Sequence, residues 1–374
     1  MLLLICGFLM SFGFVHAVLP SVIKIAREKG LVAHIEERSS HAEVTPHVGG
    51  TPMFLAILFT LALLTPMDGW GKMQYILAAL VLCFMVGTKD DIMAMRALTK
   101  LAGILIAVLI VTTRGEVRLF EMYELFGMRG ELPFWVSVAI SIATIVVISN
   151  AFNLIDGING LAAGVGMVAT ITFGIWFYVV GDFHFALLSV ATAGALLGFF
   201  FYNVTPAQTF MGDAGSLVIG LILAVLTIEF IDTGFSESIP AEYRFRNPIA
   251  VAVAILIVPL FDTIRVFATR IYRGKSPFSP DRRHLHHLLV DCGLTHMAAS
   301  AILVVVSMFY ISLVFVIDPL LDLHTLLAVE IVTALLLTFI LHRTSRRIVQ
   351  EKALAEEATG GTVTRVGSQQ LSGL

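Results

Sequence analysis

The sequence predicts an all-α, polytopic membrane protein of about eleven transmembrane helices with an active-site cleft open to the cytoplasm. Three observations carry this. The chain is 57% hydrophobic and 14% charged, whereas a soluble domain carries about 25% charged residues. Its mean hydropathy is +0.91. The apolar residues come in long stretches, each near the roughly 20 residues that a helix needs to cross about 30 Å of hydrocarbon. The net charge of −3 says little by itself about partners, because the distribution of charge matters more than its sum; no nucleic acid is expected.

The stretches fall at 2–20, 48–66, 73–88, 96–113, 133–150, 161–180, 184–202, 214–232, 247–268, 299–317 and 324–342. The first contains no basic residue, and Lys24, Arg27 and Lys29 follow it. A cleaved signal peptide has a basic n-region and a small-residue cleavage site, so this segment reads as a retained helix inserted with its N-terminus outside. Eleven crossings then leave the C-terminus inside. Of the 24 Lys and Arg, only Lys72, Arg114, Arg118, Arg129, Arg244 and Arg246 fall outside under this topology, a bias in the sense of the positive-inside rule.

One membrane domain, 1–342, is expected, with cytoplasmic loops at 21–47, 87–100, 150–160, 203–213 and 269–298. The segment 343–374 is expected as a cytoplasmic, disordered tail. Of the two longer outside loops, 114–132 and 232–246, the first alternates in polarity around Gly127 in the manner of a small hairpin. Cys6, Cys83 and Cys292 show no paired spacing; two lie in apolar runs and read as buried thiols. No internal repeat and no second soluble domain is visible.

On this topology the unusual polar residues gather at one side of the membrane. The third stretch ends in Gly87-Thr88-Lys89-Asp90-Asp91, with Lys100 nine residues beyond Asp91. The fifth ends in Asn150, Asn153 and Asp156, followed by Gly157, Asn159 and Gly160, and the eighth begins Gly212-Asp213-Ala-Gly215-Ser216. The ninth is followed by Ser279-Pro280-Asp281-Arg282-Arg283-His284-Leu285-His286-His287. With the loop at 34–50, five segments converge on the cytoplasmic boundary, and ionisable groups at membrane depth mark functional sites.

Adjacent carboxylates such as Asp90-Asp91 repel one another unless a cation or base neutralises them. One or two carboxylates together with substrate phosphates is the Mg²⁺ pattern; a solvated helix end is the plain alternative for the pair taken alone. Asn150, Asn153 and Asp156 recur every three residues and so share a helical face, although an amide stripe also serves as interhelical glue. Ser279 is positioned to cap a helix beginning at Pro280-Asp281, whose free N–H groups beside Arg282 and Arg283 suit an anion. Zinc is disfavoured for the histidines, since no fourth soft ligand lies near.

This ordered set resembles the polyprenyl-phosphate N-acetylhexosamine-1-phosphate transferases, over about residues 35–310. It comprises Arg38-Ser39-Ser40-His41, Gly49-Gly50-Thr51-Pro52, Asp90-Asp91 with Lys100, Asn153-Leu-Ile-Asp156-Gly157, Gly212-Asp213 and Arg283-His284-Leu285-His286-His287. The last motif looks like the branch that uses UDP-N-acetylglucosamine and undecaprenyl phosphate. The resemblance implies a bacterial inner-membrane enzyme of cell-envelope polysaccharide assembly that moves N-acetylglucosamine-1-phosphate to the lipid and releases UMP. Asp90, Asp91, Lys100, Asp156 and Asp213 are then the expected catalytic residues. Asn153, Asn159, Arg282, Arg283, His284, His286 and His287 are the expected substrate contacts, with Asp213 and Asn153 also ligating Mg²⁺ or Mn²⁺. One departure is Asn159, where bacterial members often carry Asp. The same reaction with another UDP-N-acetylhexosamine, or with UDP-N-acetylmuramoyl-pentapeptide, remains open, as does self-association. A secondary transporter, the rival of another class, would show internal repeats and a mid-membrane site.

Overall fold

The computed structural model describes residues 1–30, 45–67, 70–274 and 283–358. The motif Arg38–His41, the expected cap at Ser279 and the substrate contact Arg282 lie outside these residues.

Every one of the eleven stretches is helical. The first seven give α1 (Leu2–Glu28), α2 (Gly50–Leu64), α3 (Trp70–Ile92), α4 (Ala97–Thr113), α5 (Phe134–Ile155), α6 (Leu161–Val179) and α7 (Phe183–Asn203). The remainder give α8 (Gly212–Gly234), α9 (Pro248–Ile255), α10 (Ile257–Tyr272), the short α11 (Leu285–Asp291), α12 (His296–Ile317) and α13 (Leu323–Ala358). Among the described residues eight helices are long and apolar enough to cross a membrane, or nine when a bent pair counts as one span. The 15-residue α2 and the 17-residue α4 are shorter apolar helices. The protein is a multi-pass membrane protein with eight or nine helices of spanning length among the described residues, fewer than the eleven crossings expected.

The ninth stretch departs from expectation, because it breaks at Leu256 into α9 and α10, bent by 66°. Pro259 explains the position. Its ring has no N–H to donate and clashes with the carbonyl four residues back, which belongs to Ile255, the last residue of α9. The expected loop at 87–100 is largely helix, since α3 runs on through Ile92 and α4 starts at Ala97. The expected disordered tail is helical from Arg343 as far as Ala358. The outer segment 114–132 holds a single antiparallel bridge, Glu121 to Glu131, and a 3₁₀ turn at Leu125–Gly127 in place of a hairpin. Cys83 is buried as expected, but Cys6 is exposed on α1.

α8 is the axis of the molecule. It is apolar on all faces, and nearly all its side chains are buried. A helix hydrophobic all round belongs inside a bundle, and α8 packs against α2, α3 and α5. Its N-terminus is therefore enclosed by the ends of the same helices that carry the polar motifs.

Candidate active site

The site is assembled on the first turn of α8. Gly212 sits at φ +71°, a left-handed conformation that favours glycine, and a Cβ there would stand 2.8 Å from Asp91 Oδ2. This lets α3 bring Asp91 onto the helix start. Its Oδ1 accepts from Asp213 N at 2.7 Å and its Oδ2 from Ala214 N at 2.9 Å. Free N–H groups at a helix N-terminus attract an anion, and here the anion is a side chain 122 residues earlier in the chain.

Asp213, released from that capping task, faces the other motifs. Its Oδ1 lies 2.8 Å from Lys100 Nζ and accepts from Asn153 Nδ2 at 2.5 Å. Asn153 also donates to Ser216 Oγ at 2.7 Å. Lys100 bridges to Asp90 Oδ2 at 2.9 Å, while Asp90 Oδ1 accepts from Met95 N at 2.6 Å. Asp156, the residue capping the C-terminus of α5, faces the N–H of Gly212. Burial and the neighbouring carboxylates of Asp213 and Asp91 push its carboxyl up to about 7. All five expected catalytic residues are thus in one constellation.

The histidine segment meets this constellation at Gly157. A Cβ on Gly157 would stand 2.5 Å from His286 Nε2, so the missing side chain is what admits the imidazole beside Asp156. His286 is stacked on His284, with ring centroids 5.6 Å apart, and its ring lies 4.3 Å from that of His287. Burial and the neighbouring His287 push the His286 imidazole down to about 3, leaving it neutral at pH 7. α11 begins at Leu285, with His284 as its N-cap residue. Arg283 lies just before that cap, its carbonyl accepting from Arg265 Nη2.

Asn159 is not in the carboxylate cluster. Its side-chain amide donates to Thr205 Oγ1 at 3.0 Å and its carbonyl accepts from Ser300 Oγ at 2.7 Å. It ties the turn after α5 to the segment after α7 and to α12.

Three contributors were not singled out from sequence. His47 lies edge-on to Phe210, its imidazole pushed below the usual range by burial and held up by Asp213. Asp262 and Arg265, on α10, hold the start of α11. The signal for the last two was a charged i,i+3 pair inside an apolar stretch.

The donor set fits a hard divalent ion. Asp90 and Asp213 share one ammonium, Lys100, with Asp91 and Asp156 beside them, so carboxylate oxygens outnumber the cations that face them. Among the described residues no three His, Cys, Asp or Glu form a ready-made metal cage, as befits an ion that completes its shell with substrate phosphates.

Residues 73–231 match glycosyl transferase family 4. The decaprenyl-phosphate N-acetylglucosaminephosphotransferase of Mycolicibacterium smegmatis is 32% identical over 72% of this chain and 71% of its own length. The undecaprenyl-phosphate α-N-acetylglucosaminyl 1-phosphate transferase of Escherichia coli K12 is 30% identical over 74% and 73%. A probable undecaprenyl-phosphate N-acetylglucosaminyl 1-phosphate transferase of Bacillus subtilis is 29% identical over 83% and 84%. With relatives of this identity aligned over more than two thirds of both chains, the chain belongs to glycosyl transferase family 4, among the polyprenyl-phosphate N-acetylhexosamine-1-phosphate transferases.

Proposed function

We propose that the protein transfers N-acetylglucosamine-1-phosphate from UDP-N-acetylglucosamine to undecaprenyl phosphate and releases UMP. The observation that carries this is the joining, at Gly157, of a carboxylate and lysine centre to a histidine stack. Such an arrangement suits a diphosphate donor that must be gripped at one end and attacked at the other.

An oxygen of the acceptor phosphate attacks the β-phosphorus of the donor; that P–O bond forms as the bond from the β-phosphorus to the UMP oxygen breaks. A phosphate monoester has a second pKa of about 6, so the acceptor is already largely ionised at pH 7. The chain therefore needs to position and to neutralise charge more than to remove a proton. Lys100 is the cation held closest to the carboxylates and pairs with phosphate as it enters. Both oxygens of Asp91 and both of Asp90 already accept hydrogen bonds or ion pairs, which favours direct displacement over an aspartyl intermediate. Asp213 and Asn153 would hold Mg²⁺, for which Mn²⁺ is a substitute, and the bound ion would neutralise the diphosphate. For the lipid tail we assign the apolar cleft that α5, α8, α9 and α10 form with the outer segment 114–132, lined by Met122, Tyr123, Ile140, Val147, Thr227 and Val253, so that the tail runs from the site toward the outer face.

The test is incubation of purified protein with undecaprenyl phosphate, Mg²⁺ and a panel of UDP-sugars, with UMP release and lipid products measured. UDP-N-acetylglucosamine is expected to be used and UDP-N-acetylmuramoyl-pentapeptide to be refused. Discrimination by buried polar contacts reaches about 10⁴-fold. Preferential use of the pentapeptide would move the protein to the peptidoglycan branch.

The site is assigned to the cytoplasmic side of the inner membrane, with the N-terminus outside and the C-terminus inside, on the distribution of Lys and Arg. In a background lacking Cys6, Cys83 and Cys292, Met128→Cys should react with an impermeant thiol reagent in intact cells. Met93→Cys, exposed between α3 and α4, should react only after lysis. The opposite pattern would invert the topology and move the site to the other face.

A further inference from the structure

Asp262 is a carboxylate with 1% of its surface exposed, placed on α10 away from Lys100 and the carboxylate cluster. Burying such a charge costs several kcal/mol unless its oxygens are well bonded. Here they are. Oδ1 accepts from Arg265 Nη2 at 2.7 Å and from Leu285 N at 3.1 Å, and Oδ2 lies 2.9 Å from His284 Nδ1. Arg265 Nη2 also donates to the carbonyl of Arg283. Asp262 thus holds the His284 side chain and the Leu285 N–H, and Arg265 the Arg283 carbonyl, at the start of α11.

The chemistry of the contact with His284 is one-directional. An ionised carboxylate only accepts, so the nitrogen it faces must carry a proton. Arg265 shares the same carboxylate and keeps it ionised. His284 Nδ1 is then committed, while Nε2 makes no hydrogen bond among the described residues. The ring is also held in plane by its stack on His286, which itself abuts Gly157 beside Asp156.

We infer that Asp262, charge-balanced by Arg265, is a positioning residue that keeps the proton of His284 on Nδ1 and presents Nε2 to the donor diphosphate. This rests on reading His284 as a ligand of the donor. Neutral, the ring offers the Nε2 lone pair; protonated, it offers an Nε2–H to a phosphate oxygen. In both states the orientation is set by α10 and not by the substrate. A partner of this kind fixes tautomer and ring angle without touching the reacting atoms.

The test combines a spectroscopic readout with a kinetic one on the full-length protein. With ring-¹⁵N histidine, the resonances lost in His284→Gln identify His284. In wild type at pH 8.5 they should report a protonated Nδ1 and an unprotonated Nε2. Asp262→Asn, whose amide can turn a donor toward the ring, should move the proton to Nε2; Asp262→Glu, which keeps a carboxylate, should leave it on Nδ1. Unchanged His284 signals in Asp262→Asn would overturn the inference. If Asp262→Asn does not fold, Asp262→Ser serves, since its hydroxyl carries no charge to hold the proton on Nδ1; His284 signals identical to wild type there would overturn the inference.

In kinetics, Asp262→Asn should lower kcat/KM for the donor about 10- to 100-fold, with KM for polyprenyl phosphate unchanged and partial recovery in Asp262→Glu. The double variant with His284→Gln should be no slower than His284→Gln alone, since residues acting through one contact are not additive. Additive losses would make Asp262 merely structural. A wild-type protein inactive on every UDP-sugar would sink the proposed function, while the nitrogen spectra would still decide this inference.

Discussion

Asp213→Asn is expected to lower turnover by about 10³-fold or more while leaving the protein folded. The substitution keeps the shape of the side chain and removes the charge that faces Lys100 at 2.8 Å and Asn153 at 2.5 Å. Preorganised charge in a water-poor site is the largest single contribution in reactions of this type, and removing one such group costs about 10²–10³ in kcat. Asp213 is also an assigned metal ligand, which adds to the loss; chelation by EDTA should abolish activity in the same way.

Asp91→Asn should be equally inactive but for a second reason. Asp91 accepts two backbone N–H groups of α8, and an amide can offer only one oxygen to them, leaving its NH₂ against a donor. An unsatisfied buried donor costs about 1–3 kcal/mol. The two variants are therefore separable by thermal unfolding in detergent, with Asp91→Asn lowered and Asp213→Asn near wild type. Full activity of Asp213→Asn, or of the wild type in excess chelator, would remove the carboxylate centre from the mechanism.

Gly50→Ala is expected to have the second largest effect, and it acts on the scaffold. A Cβ at Gly50 would stand 2.2 Å from Gly215 N and 2.7 Å from Gly215 Cα. The obstruction is backbone, so no rotamer change relieves it. Gly50 N also donates to the carbonyl of Met211 at 2.9 Å, which fixes α2 to the start of α8. Overpacking a side chain costs about 1–3 kcal/mol, occasionally more, and here whole helices must separate. Loss of monodisperse protein, or a Tm lower by roughly 5 °C or more, should accompany loss of activity. Gly13→Ala on α1, with nothing within 4 Å of its Cβ, is the control. Wild-type Tm and turnover in Gly50→Ala would mean that α2 and α8 do not approach this closely.

The helices were legible because a membrane span must satisfy its backbone internally and present apolar side chains over its whole length. What was not legible followed from the same signal. α3 and α13 extend past their apolar stretches as polar helix, where hydropathy no longer reports the backbone. The break at Leu256 separates two apolar segments, so composition does not change across it. Pro259 was the local clue, although proline alone does not distinguish a kink from a 66° turn.

In the site, Asp90, Asp91, Lys100, Asp156 and Asp213 stood out as charges ending apolar runs, and they converge as expected. Asn159, which the family resemblance gives as a substrate contact, lies outside the carboxylate cluster and bonds Thr205, a partner that only the fold brings near. Asp262 and Arg265 were passed over because a carboxylate and a guanidinium three residues apart read as a self-contained pair; their shared target, the start of α11, is set by tertiary structure. The division of labour between Asp91 and Asp213 was equally hidden, since adjacent motifs do not reveal which acid caps the helix.

The bond from Asp91 to the first turn of α8 also has a consequence for biosynthesis. Its partners are 122 residues apart, and a ribosome adds about 5–20 residues per second. The acidic end of α3 is therefore exposed at the bilayer surface for roughly ten seconds before the helix that satisfies it has been made. Lys100, which pairs with Asp90 in the finished protein, follows within the next helix, but the N–H groups that Asp91 caps do not exist until α8 is made. A truncation ending before α8 therefore lacks the two N–H groups that Asp91 caps, and it should leave α3 and α4 inserted but readily degraded.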